Sequence, residues 1–318
     1  MKKILVIGPG SLTGSRFVEL GNNFEIYGAG GSMDEGREDL AGFKALDITD
    51  EKNVYDVVSK FRGEVVINFA GATIVDEIEK TRPRVFQAET KLQENIAYRV
   101  NVLGTRFLAN ACQTNGKFPV FISTGFVFDG KQGPYSEEDL VATSPEDVSW
   151  YAWTKILAER EVEKSGVSNL TLRISYPYRS EYDGKSDFAR SMLKVYDEYI
   201  SGKRDSIYPM FSDQTLSPTL IDDIPNALEF LLQRKERGIF HLTSPEITTP
   251  YNFCLELLKV ARNLESPELI KKGSILEFQK THPEAAKRPV HGGEESDKII
   301  KLGFTPTSWK EGIKIAYG

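Results

Sequence analysis

Six short aliphatic runs, separated by stretches of helical periodicity, restrict the chain to one class of fold. They are "KILVIG" (Lys3 to Gly8), "FEIYGA" (Phe24 to Ala29), "EVVINFAG" (Glu64 to Gly71), "FPVFIST" (Phe118 to Thr124), "LTLRIS" (Leu170 to Ser175) and "GIFHLT" (Gly238 to Thr243). Near-continuous apolar runs of this length suit strands of a parallel sheet buried on both faces. Between them, Asp50 to Phe61 repeats Val54, Val57, Val58 and Phe61 on one helical face, with Asp50 as N-cap. Ile96 to Gln113 repeats Val100, Leu103, Phe107, Leu108 and Ala111 in the same manner. The alternation predicts an α/β fold with a doubly wound parallel sheet built from right-handed βαβ units. It is clear to about Ser175, after which turns, aromatics and helices mix around one further strand near Phe240. We expect residues 1–174 and 213–243 in the first domain, and 175–212 and 244–318 in a smaller mixed α/β lobe.

The balance of charge limits the partners. Forty basic against 46 acidic residues give a net charge of −6 over 318 residues. That argues against nucleic acid as a partner, since such binding rests on neutralising phosphates. Cys112 and Cys254 lie far apart in apolar contexts and read as buried, reduced thiols. The opening "MKKILVIGPG" is interrupted too early for a signal peptide, and no stretch approaches a membrane span. The expectation is a cytoplasmic protein with no membrane partner. His241, His282 and His291 are scattered and lack metal-ligand spacing. The charged stretch Asp76 to Asn95 reads as a solvated surface helix or loop.

The loop after the first run is "GPGSLTG", Gly8 to Gly14. Strand, glycine-rich turn and helix place backbone N–H groups and a helix N-terminus against a pyrophosphate. Gly8 would take the tight turn, Gly10 would admit a ligand, and Gly14 would let the helix pack on the sheet. An ordinary β-to-α turn has the same composition, so the loop alone leaves both readings open.

The stretch with chemical content lies downstream. "FIST" ends a predicted strand in two hydroxyls, Ser123 and Thr124, and "WYAWTK" follows with Tyr151 and Lys155 four residues apart. On a helix that spacing puts both side chains on one face. A neighbouring ammonium favours the phenolate, and a tyrosine so tuned can exchange a proton with a carbonyl oxygen. With 13 tyrosines, one such pair is expected roughly by chance, and Tyr199 with Lys203 is a second. Only the Tyr151 pair follows a strand ending in hydroxyls.

Together these features resemble the extended short-chain dehydrogenase/reductases, and among them the dTDP-4-dehydrorhamnose reductase group. "STGFVFDG" (Ser123 to Gly130) is similar to that group's S-T-D-Y-V-F-D-G. "DITD" (Asp47 to Asp50) resembles its adenine-side segment, "VINFAGAT" (Val66 to Thr73) its cofactor-lining stretch, and "VNVLGT" (Val100 to Thr105) its central-helix asparagine motif. "DQTLSPTLIDDI" (Asp213 to Ile224) is similar to D-Q-x-x-x-P-T-x-x-x-D-L. The segment from Lys287 to Ile313 resembles R-P-x-x-S-x-L-D-x-x-K-L. The motifs run in matching order along nearly the whole chain.

The resemblance implies a Rossmann-type cofactor domain and a keto-sugar reductase. Carried over, Thr124 holds the substrate carbonyl with Ser123 beside it. Tyr151 is the acid, Lys155 binds the nicotinamide ribose and tunes Tyr151, and Asn101 supports a proton relay. The cofactor would lie on Gly8, Gly10, Ser11, Leu12, Thr13 and Gly14. Asp47 and Ile48 would stand by the adenine, Phe69, Ala70 and Gly71 along its length, and Ser175, Tyr176 and Pro177 at the nicotinamide. The second run ends "IYGAGGSMDEGR" without a carboxylate where an NAD-selecting acid belongs; Asp34 and Glu35 come late, and Arg16 or Arg37 could meet a 2′-phosphate. NADP(H) is therefore the expected cofactor and NAD(H) the alternative. The expected partner is a small nucleotide-sugar, and a homodimer is compatible with the family.

Gly125 and Phe126 stand where that group carries Asp-Tyr, and Ser11 stands where the extended family carries its middle glycine, Gly10 coming one residue early. Two other readings share the frame. One is a nucleotide-sugar epimerase that retains NAD. The other is a nucleotide-binding regulatory subunit, as in methionine adenosyltransferase, whose regulatory subunit looks like this group.

Overall fold

The computed structural model describes residues 1–31, 37–83 and 92–318, so Asp34, Glu35 and part of the charged stretch lie outside the described residues. Seven parallel strands form one sheet in the order β3-β2-β1-β4-β5-β6-β8. In chain order these are β1 (Lys2–Ile7), β2 (Phe24–Gly30), β3 (Gly42–Ala45), β4 (Val65–Asn68), β5 (Phe118–Thr124), β6 (Leu170–Ile174) and, after a long excursion, β8 (Gly238–His241). The six aliphatic runs are all strands of this sheet. The short β3, "GFKA", escaped the pattern because it is an edge strand with no buried residue. A separate pair, β7 (Met210–Phe211) with β9 (Lys272–Gly273), lies outside the main sheet.

Burial on both faces explains why the runs lack polar alternation. Along β1, Ile4 and Val6 enter one core with Phe17, Leu228 and Leu231, while Leu5 and Ile7 enter the other with Val54, Val58 and Leu108. Successive side chains of a strand point to opposite faces, so each strand serves two cores. The helix Glu51–Lys60 starts at Asp50, whose carboxylate accepts from the N–H of Asn53, as its sequence predicts. A further core gathers Tyr178, Met192, Leu257, Trp309 and Ile313 from the later part of the chain.

The strand order reverses direction between β1 and β4, and the crevice at their carboxyl ends is where doubly wound sheets bind dinucleotides. The loop after β1 is shaped by close backbone approach. Gly8 has φ +76° and lies against the backbone of Ala70 after β4. A Cβ on Gly14 would fall 2.3 Å from the carbonyl oxygen of Gly8. Gly14→Ala should therefore cost about 1–3 kcal/mol through overpacking against backbone that cannot yield. Denaturant unfolding checks this: the midpoint should fall with the slope unchanged.

Candidate active site at the carboxyl end of the sheet

Tyr151 and Lys155 occupy one face of the helix Trp150–Ser165. Two groups fix its start. Ser149 Oγ accepts from the N–H of Ala152, and Glu79 Oε2 accepts from the N–H of Trp150 at 2.6 Å. Glu79 belongs to the charged stretch expected to be a solvated face. Its described part instead anchors this helix, with Arg82 donating to the carbonyls of Val148 and Pro145 and Asn95 accepting from Trp150 Nε1.

Lys155 Nζ donates to the carbonyl of Ile122 at 2.7 Å, which ties the helix to β5 two residues before Thr124. Thr124 is buried, its hydroxyl accepts from the N–H of Phe126 at 3.2 Å, and it stands beside the Tyr151 hydroxyl. Burial pushes the Tyr151 phenol up to about 12, opposed by the neighbouring Thr124 hydroxyl, and brings the Lys155 ammonium down to about 8. The expectation that Lys155 lowers the Tyr151 pKa is thus corrected: desolvation dominates at both groups. Phe126 adds to it, with its ring edge-on to Tyr151 at 6.3 Å and to Tyr176 at 5.3 Å.

Ser123 has a different part from the one expected. Pleating turns it away from Thr124, and its hydroxyl donates to Glu159 Oε1 at 2.5 Å. In the register of β5, β6 and β8, Ser123, Arg173 and His241 stand side by side. Glu159 holds Arg173 through two hydrogen bonds of 3.0 and 2.7 Å, and Arg173 lies over the Phe128 ring. His241 Nδ1 faces the carbonyl of Glu295, so that nitrogen carries the proton and Nε2 meets Arg173. Burial and the Arg173 charge hold His241 neutral, down to about 3.

Asn101 is buried in a π-turn, Arg99–Leu103, within the helix spanning 96–114. Its side chain accepts from the N–H of Ala72 at 2.8 Å and donates to the Ala72 carbonyl and to Thr154 Oγ1, which in turn donates to the Tyr151 carbonyl. These bonds commit both amide protons and clamp the stretch after β4 to the Tyr151 helix.

The expected cofactor residues gather around the crevice. Ser11 is the N-cap of the helix Leu12–Leu20, its hydroxyl accepting from the N–H of Gly14, and the first-turn N–H groups of Leu12 and Thr13 emerge at that end. Tyr182, from the later part of the chain, donates to the carbonyl of Gly10. Asp47 accepts from the N–H and hydroxyl of Thr49, which hold its carboxylate below the usual range, and Ile48 is buried against Gly104. Phe69 turns its ring into the core against Phe17, so only its backbone reaches the crevice beside Ala70 and Gly71. Ser175 is buried. Tyr176 has φ +41°, a strained left-handed conformation, and its hydroxyl accepts from Gln214; Pro177 follows. Of the two arginines considered for a 2′-phosphate, Arg16 is held bidentately by Asp222. Arg37 is likewise held bidentately by Asp39, and it also donates to the carbonyl of Pro9 at 2.7 Å, which places the pair on the glycine-rich loop.

A family model for the RmlD substrate binding domain matches residues 1–317. The chain belongs to that family. It is 27% identical over 327 residues to dTDP-4-dehydrorhamnose reductase of Aggregatibacter actinomycetemcomitans, covering 99% of this chain and 98% of that one. It is 29% identical to the enzyme of the same name from Mycolicibacterium smegmatis, over 92% of this chain and 84% of the relative. The fold superposes on dTDP-4-dehydrorhamnose reductase of Bacillus anthracis in complex with NADP, with a TM-score of 0.78, 23% identity and 100% and 99% of the two chains covered. A Bordetella bronchiseptica enzyme in complex with NAD+ shares the fold at a TM-score of 0.73 and 18% identity, over 100% and 98% of the two chains. The family places this chain among the NAD(P)-dependent oxidoreductases of the extended short-chain type. Among the described residues no helix is long and apolar enough to cross a membrane, and no group of His, Cys, Asp and Glu could hold a metal ion.

The cluster of Ser123, Glu159, Arg173 and His241 gives a stability test. Arg173→Met leaves the Glu159 carboxylate without its guanidinium in a largely buried setting, an imbalance worth about 3–5 kcal/mol. A denaturation midpoint close to that of the natural protein would show that the pair carries no such weight.

Proposed function

We propose that this chain reduces the keto group of a nucleotide-linked 4-keto sugar of the dTDP-4-dehydrorhamnose type, with NADPH as the preferred hydride donor. One observation carries the reading: the neighbouring hydroxyls of Thr124 and Tyr151, on a strand end and a helix tied together by Lys155, beside a crevice shaped for a dinucleotide. The residues fit that group. Backbone approach leaves no room for side chains at Gly8 and Gly14, and the helix Leu12–Leu20 turns its free N–H groups to the pyrophosphate position. When bound, the nicotinamide supplies a hydride to the carbonyl carbon. The carboxylate-free end of β2 favours a 2′-phosphate, which Arg37 on the loop would meet by exchanging its partner Asp39.

The chain's own groups handle the proton. Thr124 orients the carbonyl oxygen, and Tyr151, kept protonated by its burial, delivers its hydroxyl proton to that oxygen. An alkoxide is a far stronger base than a phenolate, so the transfer is downhill even from a tyrosine at about 12. Lys155, bonded to the Ile122 carbonyl, would hold the nicotinamide ribose with its ammonium.

Tyr151→Phe should lower kcat by about 100-fold or more while NADPH still binds, measured by NADPH oxidation and by fluorescence titration. Retained turnover would remove the proposed acid. Lys155 sets the alkaline limit. It is charged below about 8 and neutral above, so kcat should fall as pH rises through that value. A flat profile to pH 10 would exclude Lys155 as the charge that the reaction needs.

A further inference from the structure

Gly125 follows Thr124 and lacks a side chain for a physical reason. A Cβ placed there would fall 1.4 Å from Glu294 Oε1 and 2.1 Å from its carboxyl carbon. In the patterns that these stretches resemble, an acid and a leucine stand at these places; this chain has Gly125 and Glu294. A carboxyl from the far end of the sequence fills the space beside the catalytic threonine.

Its delivery is rigid. Glu295 N–H donates to the carbonyl of Tyr135, and Tyr135 N–H to that of Gly293, in the loop that follows β5. Thr215 N–H donates to the carbonyl of Val290, and Thr243 Oγ1 to that of Glu294 itself. The segment is therefore clamped on both sides of Glu294, whose side chain is buried. Glu294 Oε2 accepts from Ser217 Oγ at 2.8 Å, and the hydroxyl of Ser175 lies beside the carboxyl. Ser175 precedes the strained Tyr176, whose ring packs on Phe126. Two further charged or titratable side chains face the carboxyl from β6 and its end, Arg173 and Tyr176.

We propose that Glu294 is a positioning residue for the reduction. Its carboxyl takes the place of the side chain that residue 125 lacks and, packed against Gly125 and held by Ser217 beside Ser175, fixes the strand ends that present Thr124 and Tyr176 to substrate and nicotinamide. As a carboxylate it accepts a charge-assisted bond from Ser217. Protonation removes that charge, and the clasp loosens. Burial raises its proton affinity, so the change falls near pH 7, at about 7. Activity should decline as pH falls through that range.

The positional claim stands on geometry, and its effect on turnover rests on the reductase reading. Two measurements keep them apart. In the first, Gly125→Ala, Glu294→Ala and their combination are compared by thermal unfolding, which needs no substrate. Gly125→Ala alone should lower Tm, and Glu294→Ala should relieve that loss; additive effects would overturn the contact. In the second, E294Q is assayed with NADPH and dTDP-4-keto sugar beside the natural protein. The amide keeps the volume but has the donor pattern of the protonated acid. E294Q should therefore show kcat reduced by about 10-fold and no acid limb near pH 7, with NADPH affinity unchanged. G125D combined with Glu294→Ala, which returns a carboxyl to the same space, should recover much of kcat. Natural kcat with the same acid limb in E294Q would overturn the proposal. Absence of turnover in the natural protein would instead count against the reductase reading, leaving the unfolding coupling to judge the contact.

Discussion

The ammonium of Lys155 on the carbonyl of Ile122 is the joint on which the candidate site depends. It joins a helix to a sheet, one turn before Glu159 of the same helix makes a second polar tie to Ser123 and Arg173. Through it, Tyr151 one turn earlier on the helix meets Thr124 two residues later on the strand. The joint is itself costly to the cation, since burial brings Lys155 down to about 8. Its surroundings offset that cost from a distance: Glu159, one turn further along the same helix face, favours the charged lysine while binding Ser123 and Arg173.

One helix face thus serves two purposes. Tyr151 and Lys155 address the pocket, and Glu159 addresses a buried polar row across β5, β6 and β8. That row is fully paired. Arg173 has a carboxylate, an aromatic face and a neutral imidazole around it, and His241 keeps its proton on the nitrogen that meets a carbonyl. Removing one member strands the others, which is why such clusters stabilise a single arrangement better than they add to overall stability.

Much of this was legible in the sequence. The strand Phe118–Thr124 has the bounds its apolar run gives, and Asp50 caps the helix it was expected to cap. Periodicity reads such features because they depend on residues close together in the chain. It failed at the exposed edge strand β3, where no face is buried, and at the π-turn around Asn101, which leaves the helical pattern nearly intact. Strand alternation could have separated Ser123 from Thr124, since neighbours on a strand face opposite sides. The carboxyl of Glu294 beside Gly125, the Arg16 pair with Asp222 and the Glu79 cap of the Tyr151 helix had no local signal. Each joins residues remote in sequence, and only the folded chain brings them together.

The central claim is a net hydride transfer to a sugar carbonyl, with the proton supplied by the chain. Incubation with NADPH deuterated at the transferring position of nicotinamide C4 and a dTDP-4-keto sugar tests it most directly, read by mass spectrometry and NMR. The account predicts one deuterium on the sugar carbon that bore the keto group and one NADP+ formed per sugar reduced. Sugar that is isomerised without deuterium, with no net NADPH consumed, would contradict it.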